Sequence, residues 1–370
     1  MVHLLSIVQG VAVRVLVFGV LVFIHELGHY LAARWRGIYV EAFSIGFGPA
    51  LVSWTDRHGT VWKIGLLPLG GFVKMHGMAL NVANETAMDD TVTRPGQGYN
   101  EKPVFSRAIV AAAGPVANFL LAMVLLSVLF CAVGRQVPLA VVGEVAEASS
   151  AATAGLKPGD RIETVDGEKI TAFETLRRIV AASAGQTLTM QVARGAQLLS
   201  LPVEIKPAEP GDMSVGRLGI SSGASMTERL WPGAALVAGV AETGHMFGAI
   251  FGGLVHIVTT GHGLRELGGP IAVVVMSGQA AAQGLPVLIW FVAFLSVNLG
   301  LVNLLPIPIL DGGHLMFYAA EAVRGRPLPA SALDYGYRAG FALIACMFVF
   351  ISFNDLVHTG ALRWVAHLIG

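Results

Sequence analysis

Two stretches of this chain, Ala108–Gly134 and Leu285–Leu310, run for 27 and 26 residues without a charged side chain. A helix of about 20 apolar residues crosses the hydrocarbon core of a bilayer, so each is long enough to span. A third run, Val15–Ile24, is also free of charge and leads directly into His25-Glu26-Leu27-Gly28-His29. This first span can be drawn from about Leu4 to Ala33, with Arg14 and Gln9 near one end and Arg34 and Arg36 closing the other. Only 13% of the chain is charged and 54% is hydrophobic, well away from the quarter-charged soluble domain. The expected fold class is a polytopic α-helical membrane protein with about four transmembrane helices, a membrane-associated β-sheet and one inserted soluble domain. A formal net charge of zero argues against a nucleic-acid partner. Cys131 and Cys346 sit inside apolar runs and read as small buried thiols, with no disulfide framework. The N-terminus looks like a signal peptide, but no small-residue cleavage site follows the run, so the segment is expected to be retained.

The motif at the end of the first run carries chemistry. Residues four apart on a helix share a face, so His25 and His29 can reach one metal ion while Glu26 sits beside them to take a proton from an attacking water. A soluble zinc hydrolase has no reason to put such ligands at the end of a lipid-grade helix, which places the expected site in the membrane. A catalytic zinc keeps three protein ligands. The third comes from Asp311, a lone carboxylate at the end of an apolar run, or from His314; Asp311 also reads as a helix cap.

Taken in order, residues 1–36 form the first transmembrane segment and 37–105 a cytoplasmic, membrane-associated β region. There Val40–Pro49 and Val61–Lys74 break like short strands joined by glycine turns, and Asn81–Asn100 reads as a mobile loop. Residues 106–136 form the second transmembrane segment. Its Gly114-Pro115 marks a kink or a close packing point, and Asn118 reads as an interhelical hydrogen bond or a site residue. Residues 138–207 turn soluble, with a helix over Phe173–Ala182 and a strand over Thr187–Ala193. Residues 208–284 are expected to be a linker, Gly211–Ser225, and then an interfacial helix, because Glu242, His245, His256, His262, Arg265 and Glu266 interrupt the apolar sequence. Lone histidines at an interface usually just hydrogen-bond. Residues 285–312 form the third transmembrane segment, where Pro306 and Pro308 imply broken backbone of the kind tolerated only where it lines a protein cavity. Residues 313–370 complete the chain with a cytoplasmic loop and a fourth span, about Tyr335–Leu356. Basic residues put 34–107 and 312–338 in the cytoplasm and the 138–207 domain outside.

The turns Gly155-Leu156-Lys157-Pro158-Gly159-Asp160 and Asp166-Gly167 resemble those of a bacterial PDZ domain. Such a module binds extended peptide ends by adding a strand to its sheet edge; the alternative is a β-rich spacer. The His-Glu motif of the first span, Gly114-Pro115 and Asn118 of the second, this PDZ-like insert and Asn303-x-x-Pro306-x-Pro308-x-Leu310-Asp311-Gly312 together resemble the bacterial site-2 proteases. These are intramembrane zinc metalloproteases of the regulator-of-sigma-E-protease type. The resemblance covers nearly the whole chain. It implies four core spans, Zn2+ held by His25, His29 and Asp311, Glu26 as general base, Asn298 and Asn303 near the substrate backbone, and residence in the bacterial inner membrane with the PDZ-like domain on the periplasmic side. Some members carry two tandem PDZ domains, whereas 138–207 has room for one.

The function this predicts is cleavage of transmembrane segments of single-span membrane proteins, such as anti-sigma factors or signal-peptide remnants, within the lipid bilayer. The strand-like region around Gly70 and Gly71, together with Pro306, would hold the unwound substrate, and an Asn303 amide could stabilise the developing oxyanion. The competing reading is a metal-dependent membrane receptor or scaffold that uses the PDZ-like domain, a role with no use for a general base at Glu26.

Overall fold

The computed structural model describes residues 2–78, 94–209, 212–260 and 269–358. They divide into two compact units, Met1–Leu129 with Pro232–Gly370, and Phe130–Trp231.

The first unit opens with α1 (Val2–Trp35), which carries the His-Glu motif in its second half. Two long antiparallel strands follow, β1 (Val40–Thr55) and β2 (Val61–Met75). Each folds back on itself, β1 at Gly46 and Gly48 and β2 at Gly70, all three at positive φ, where glycine avoids the steric cost of a Cβ. The register therefore sets Ala42–Ile45 between Gly71–Lys74 on one side and Val61–Ile64 on the other. Gly71–Lys74 is left as an edge that carries no further strand among the described residues. Helix α2 (Val104–Ala132) contains Pro115 and presents Leu120, Val124 and Val128, four residues apart, as an exposed apolar stripe. The Asn81–Asn100 loop lies mostly outside the described residues.

The second unit is a small β structure: β3 (Arg135–Pro138), β4 (Val142–Val145), α3 (Ser150–Thr153), β5 (Arg161–Val165), β6 (Glu168–Lys169), α4 (Phe173–Ala181), β7 (Thr187–Arg194), β8 (Gln197–Glu204), β9 (Lys206–Glu209), β10 (Asp212–Arg217), β11 (Ile220–Ser222) and β12 (Ser225–Glu228). Its main sheet runs β6-β5-β7-β8, while β9 pairs with β10, β4 with β11 and β3 with β12. Leu176 and Val180, one helical turn apart on α4, drop into a core with Ile162, Met190, Val192 and Val203. The stretch Gly211–Ser225, expected as a linker, is built into this unit: β10 pairs with β9 just before it, while β11 and β12 are completed by β4 and β3, far back in the sequence.

The chain then resumes the first unit with α5 (Pro232–Thr260), α6 (Pro270–Ala282), α7 (Leu285–Leu304), α8 (Asp311–Arg324) and α9 (Ala330–His358). Among the described residues five helices, α1, α2, α5, α7 and α9, are long and apolar enough to cross a membrane. The sequence suggested about four; the addition is α5, expected as interfacial. Of the residues that interrupt the apolar sequence, Glu242, His245 and His256 lie within the helix, and His262, Arg265 and Glu266 fall outside the described residues. Cys131 and Cys346 are exposed rather than buried, since a side chain in an apolar run can face lipid as readily as a core. One core of the unit joins Tyr30, Ala33, Phe43, Val73, Val110 and Tyr318, fastening α1, the sheet, α2 and α8 around the motif.

Candidate metal centre

Helix α1 puts His25 and His29 one turn apart, both buried. Between α7 and α8 the chain leaves helix at Leu305, which is extended (φ −61, ψ 141), and re-enters it at Asp311 after Ile309 takes φ 97. Asp311 is the first residue of α8, and this break turns its carboxylate onto the two imidazoles. Asp311 Oδ2 lies 3.2 Å from His25 Nε2 and 3.4 Å from His29 Nε2, and the two Nε2 atoms are 3.2 Å apart. Ligand atoms about 2 Å from a tetrahedral zinc are separated by roughly 3.3 Å, so the triangle has the size of one face of such a site. Among the described residues this is the one group of three His, Cys, Asp or Glu side chains close enough together to hold a metal ion.

The remaining ring atoms fix the tautomers. His29 Nδ1 donates to the Val110 carbonyl of α2 at 2.8 Å, which leaves Nε2 as a lone pair. His25 Nδ1 faces the Asn118 amide at 3.1 Å, drawn with the Nδ2 end toward it, while Asn118 Oδ1 is buried without a hydrogen-bond partner. Amide ends are assigned from the network. Turning this one over lets Oδ1 accept from Nδ1–H and gives His25 the same tautomer as His29. Both Nε2 lone pairs then converge on Asp311 Oδ2, itself buried and without a hydrogen-bond partner. Three electron-pair donors with no proton between them suit a cation; the residues fit zinc.

Glycines let the helices approach. A Cβ on Gly28 would lie 2.8 Å from Ala117 Cβ, and one on Gly114 would lie 2.6 Å from His29 Cε1 and 2.8 Å from His25 Cε1. Gly71 on the sheet edge meets Glu26, whose Cγ would be 3.1 Å from an added Cβ, and Gly70 packs under Phe47. One segment of α2 thus serves as the jig, with Val110 on His29, Gly114 under both rings and Asn118 on His25. The Ser296 hydroxyl of α7 donates to the Asn118 carbonyl at 2.8 Å. Arg107 of α2 pairs with Glu321 of α8 at 2.6 Å, and the Tyr318 hydroxyl meets that of Tyr99 at 2.7 Å. Burial pushes the Tyr318 hydroxyl up to about 12 and raises that of Tyr99 as well, so the pair stays neutral and hydrogen-bonded.

His314 turns away from the triangle, with Nδ1 3.4 Å from the Tyr337 hydroxyl. The Asn303 amide donates back to the Leu299 carbonyl of its own helix at 3.1 Å. Asn298 is half-buried on α7, and Pro306 is exposed in the break. His245 and His256 are exposed on α5. Nothing in the sequence pointed to the Val110 carbonyl, whereas Asn118, one turn beyond a Gly-Pro pair, already read as an interhelical hydrogen bond or a site residue.

Comparison with known proteins gives the family. The model of peptidase family M50 matches residues 13–347. The chain belongs to peptidase family M50. A provisionally named zinc metalloprotease of Agrobacterium fabrum is 43% identical to this M50 chain, over 92% of it and 94% of the relative. A similarly named protein of Brucella suis is 39% identical, over 92% and 93%. The metalloprotease MmpA of Caulobacter vibrioides is 36% identical, over 95% and 96%. This M50 member is therefore a zinc metalloprotease, and its apolar helices make it a multi-pass membrane protein.

Proposed function

We propose that this M50 protease cuts transmembrane segments of single-span proteins inside the bilayer, with His25, His29 and Asp311 holding the zinc and Glu26 as general base. The observation that carries the reading is that the donor triangle is built from a buried turn of a candidate span, Val15–Trp35. Zinc, when bound, polarises the scissile carbonyl and acidifies water. Glu26 takes a proton from the attacking water and returns it to the leaving amine. A substrate helix hides its carbonyls in its own hydrogen bonds and must be drawn out before cleavage. The Gly71–Lys74 edge, which carries no further strand among the described residues and sets Gly71 against Glu26, suits a substrate added as a strand. Asn303 spends one N–H on Leu299 and keeps the other for the oxyanion, while Asn298 and Pro306 line the substrate path.

The exposed Phe47, Leu51, Trp54, Leu66 and Leu67 of the curled sheet suit contact with lipid. The arginine-rich connections 34–107 and 312–338 lie in the cytoplasm, with α5 and the shorter apolar α6 together returning the chain to the outside before α7. Phe130–Trp231 is then periplasmic and the membrane is the bacterial inner membrane. A groove of about 590 Å3 between α4 and residues 218–221, lined by Phe173, Leu176 and Val180, supports the PDZ-like reading with an extended peptide end as ligand.

The test is co-expression with tagged single-span proteins, offered intact or with the ectodomain trimmed. Wild type should release a fragment cut within the span. Glu26→Gln should lower release by on the order of 10^3-fold while zinc stays bound. Cleavage confined to soluble segments would refute the intramembrane reading.

A further inference from the structure

A cavity of about 1200 Å3 opens beside the break between α7 and α8. Pockets of about 300–1,000 Å3 bury a drug-sized molecule, so this one can hold a length of peptide rather than a single side chain. Ile309 and His314, which flank Asp311 in the chain, both line it, as does Met78, three residues past the end of β2. Met78 closes the turn after β2, its N–H donating to the Met75 carbonyl at 3.1 Å, so the cavity adjoins the end of the Gly71–Lys74 edge.

More of the lining comes from α8, through Phe317, Tyr318 and Glu321, and from two span ends, with Arg107 at the start of α2 and Ala330, Leu333 and Tyr337 at the start of α9. By charge these ends are the cytoplasmic ones. The charged groups in the wall are already matched, Arg107 with Glu321 and Arg338 with Asp334, so neither sign is left over to recognise a charged ligand. Apolar walls with paired charges suit an uncharged, apolar occupant. His314 and Tyr337 at the near end supply polar atoms for peptide N–H and C=O groups. Ile309, a β-branched residue at φ 97, holds its partly exposed side chain at the mouth in a conformation such residues rarely adopt, and strain of this kind collects at ligand clamps.

We infer that this cavity receives the apolar stretch of the unwound substrate on the cytoplasmic side of the cut, so that residues beyond the scissile bond, and not only those along the sheet edge, set which segments are cleaved. The inference rests on the intramembrane reading above.

The experiment uses the full-length Glu26→Gln protein in membranes with a single-span substrate that wild type cuts, and a photoreactive benzoylphenylalanine at Leu333. Crosslinks mapped by mass spectrometry should fall on substrate residues just cytoplasmic of the cut. In the otherwise wild-type protein, Ala330→Trp should raise KM for that substrate about 10-fold with zinc content unchanged. Crosslinks confined to the outer side of the cut, to lipid or to residues 79–93 of the protease itself would overturn the inference, as would an unchanged KM. Failure of wild type to cut any transmembrane substrate would sink the intramembrane reading first, which keeps the two failures distinguishable.

Discussion

Asp160 and Asp311 are both carboxylates withdrawn from water, one in each unit, and their partners are opposite in kind. Asp160, 1% exposed, accepts from Arg194 Nε and an Arg194 terminal nitrogen at 2.7 Å each and from the Lys157 backbone N–H at 2.8 Å. Every partner is a donor, and the carboxylate ties the Lys157–Asp160 turn to the sheet through β7. Asp311 faces two imidazole lone pairs, and its Oδ2 accepts no hydrogen bond. Folding does not build such a convergence for stability, since an unsatisfied buried polar atom costs about 1–3 kcal/mol. A satisfied carboxylate fastens structure, whereas one set among other acceptors marks the place for a cation.

Substitutions can break this contrast in either direction. The larger effect is expected at Asn118, which touches no metal ligand atom but orients His25. Asn118→Ala should lower zinc affinity by about 10–100-fold, read by competition with a chromogenic chelator, and should leave hydrogen exchange in Phe130–Trp231 unchanged. An unaltered affinity would mean that His25 needs no orienting partner.

Asp160→Asn should do the reverse, keeping zinc and weakening the second unit. Hydrogen bonds from Arg194 hold the Asp160 carboxyl below its ordinary range. A depressed folded value contributes stability that is complete above the unfolded carboxylate value of about 3.9 and is lost as pH falls through the folded one. Amide protection of Leu176 and Val180 should therefore decline in wild type below about pH 4, and the part due to this residue should be missing from Asp160→Asn at every pH. An identical acid response in the two proteins would show that Asp160 does not carry it.

Signals local in sequence were legible. The charge-free runs marked three of the long helices, the four-residue spacing put His25 and His29 together, and the Phe173 and Thr187 patterns gave α4 and β7 within a residue. What escaped was non-local. Strands β11 and β12 are short and polar and become strands only by pairing with distant segments, such as Met226 beside Val137. Helix α5 was expected as interfacial, and not as long and apolar enough to span, because scattered histidines were counted with the charges beyond its end. The sequence left Asp311 and His314 as rivals three residues apart. The geometry separates them through the backbone break at Leu305–Leu310, which aims the first residue of α8 and not the fourth. The support of His29 is a backbone carbonyl, and no side-chain type at position 110 would have announced it.

The account stands on Asp311 completing the zinc site, so the most direct measurement is zinc stoichiometry and affinity of the purified full-length protein, wild type beside Asp311→Asn and His314→Ala. The expected result is about one zinc per chain for wild type and His314→Ala, and a loss of tight binding and of proteolysis for Asp311→Asn. Full zinc in Asp311→Asn together with loss in His314→Ala would contradict the account and make His314 the third ligand.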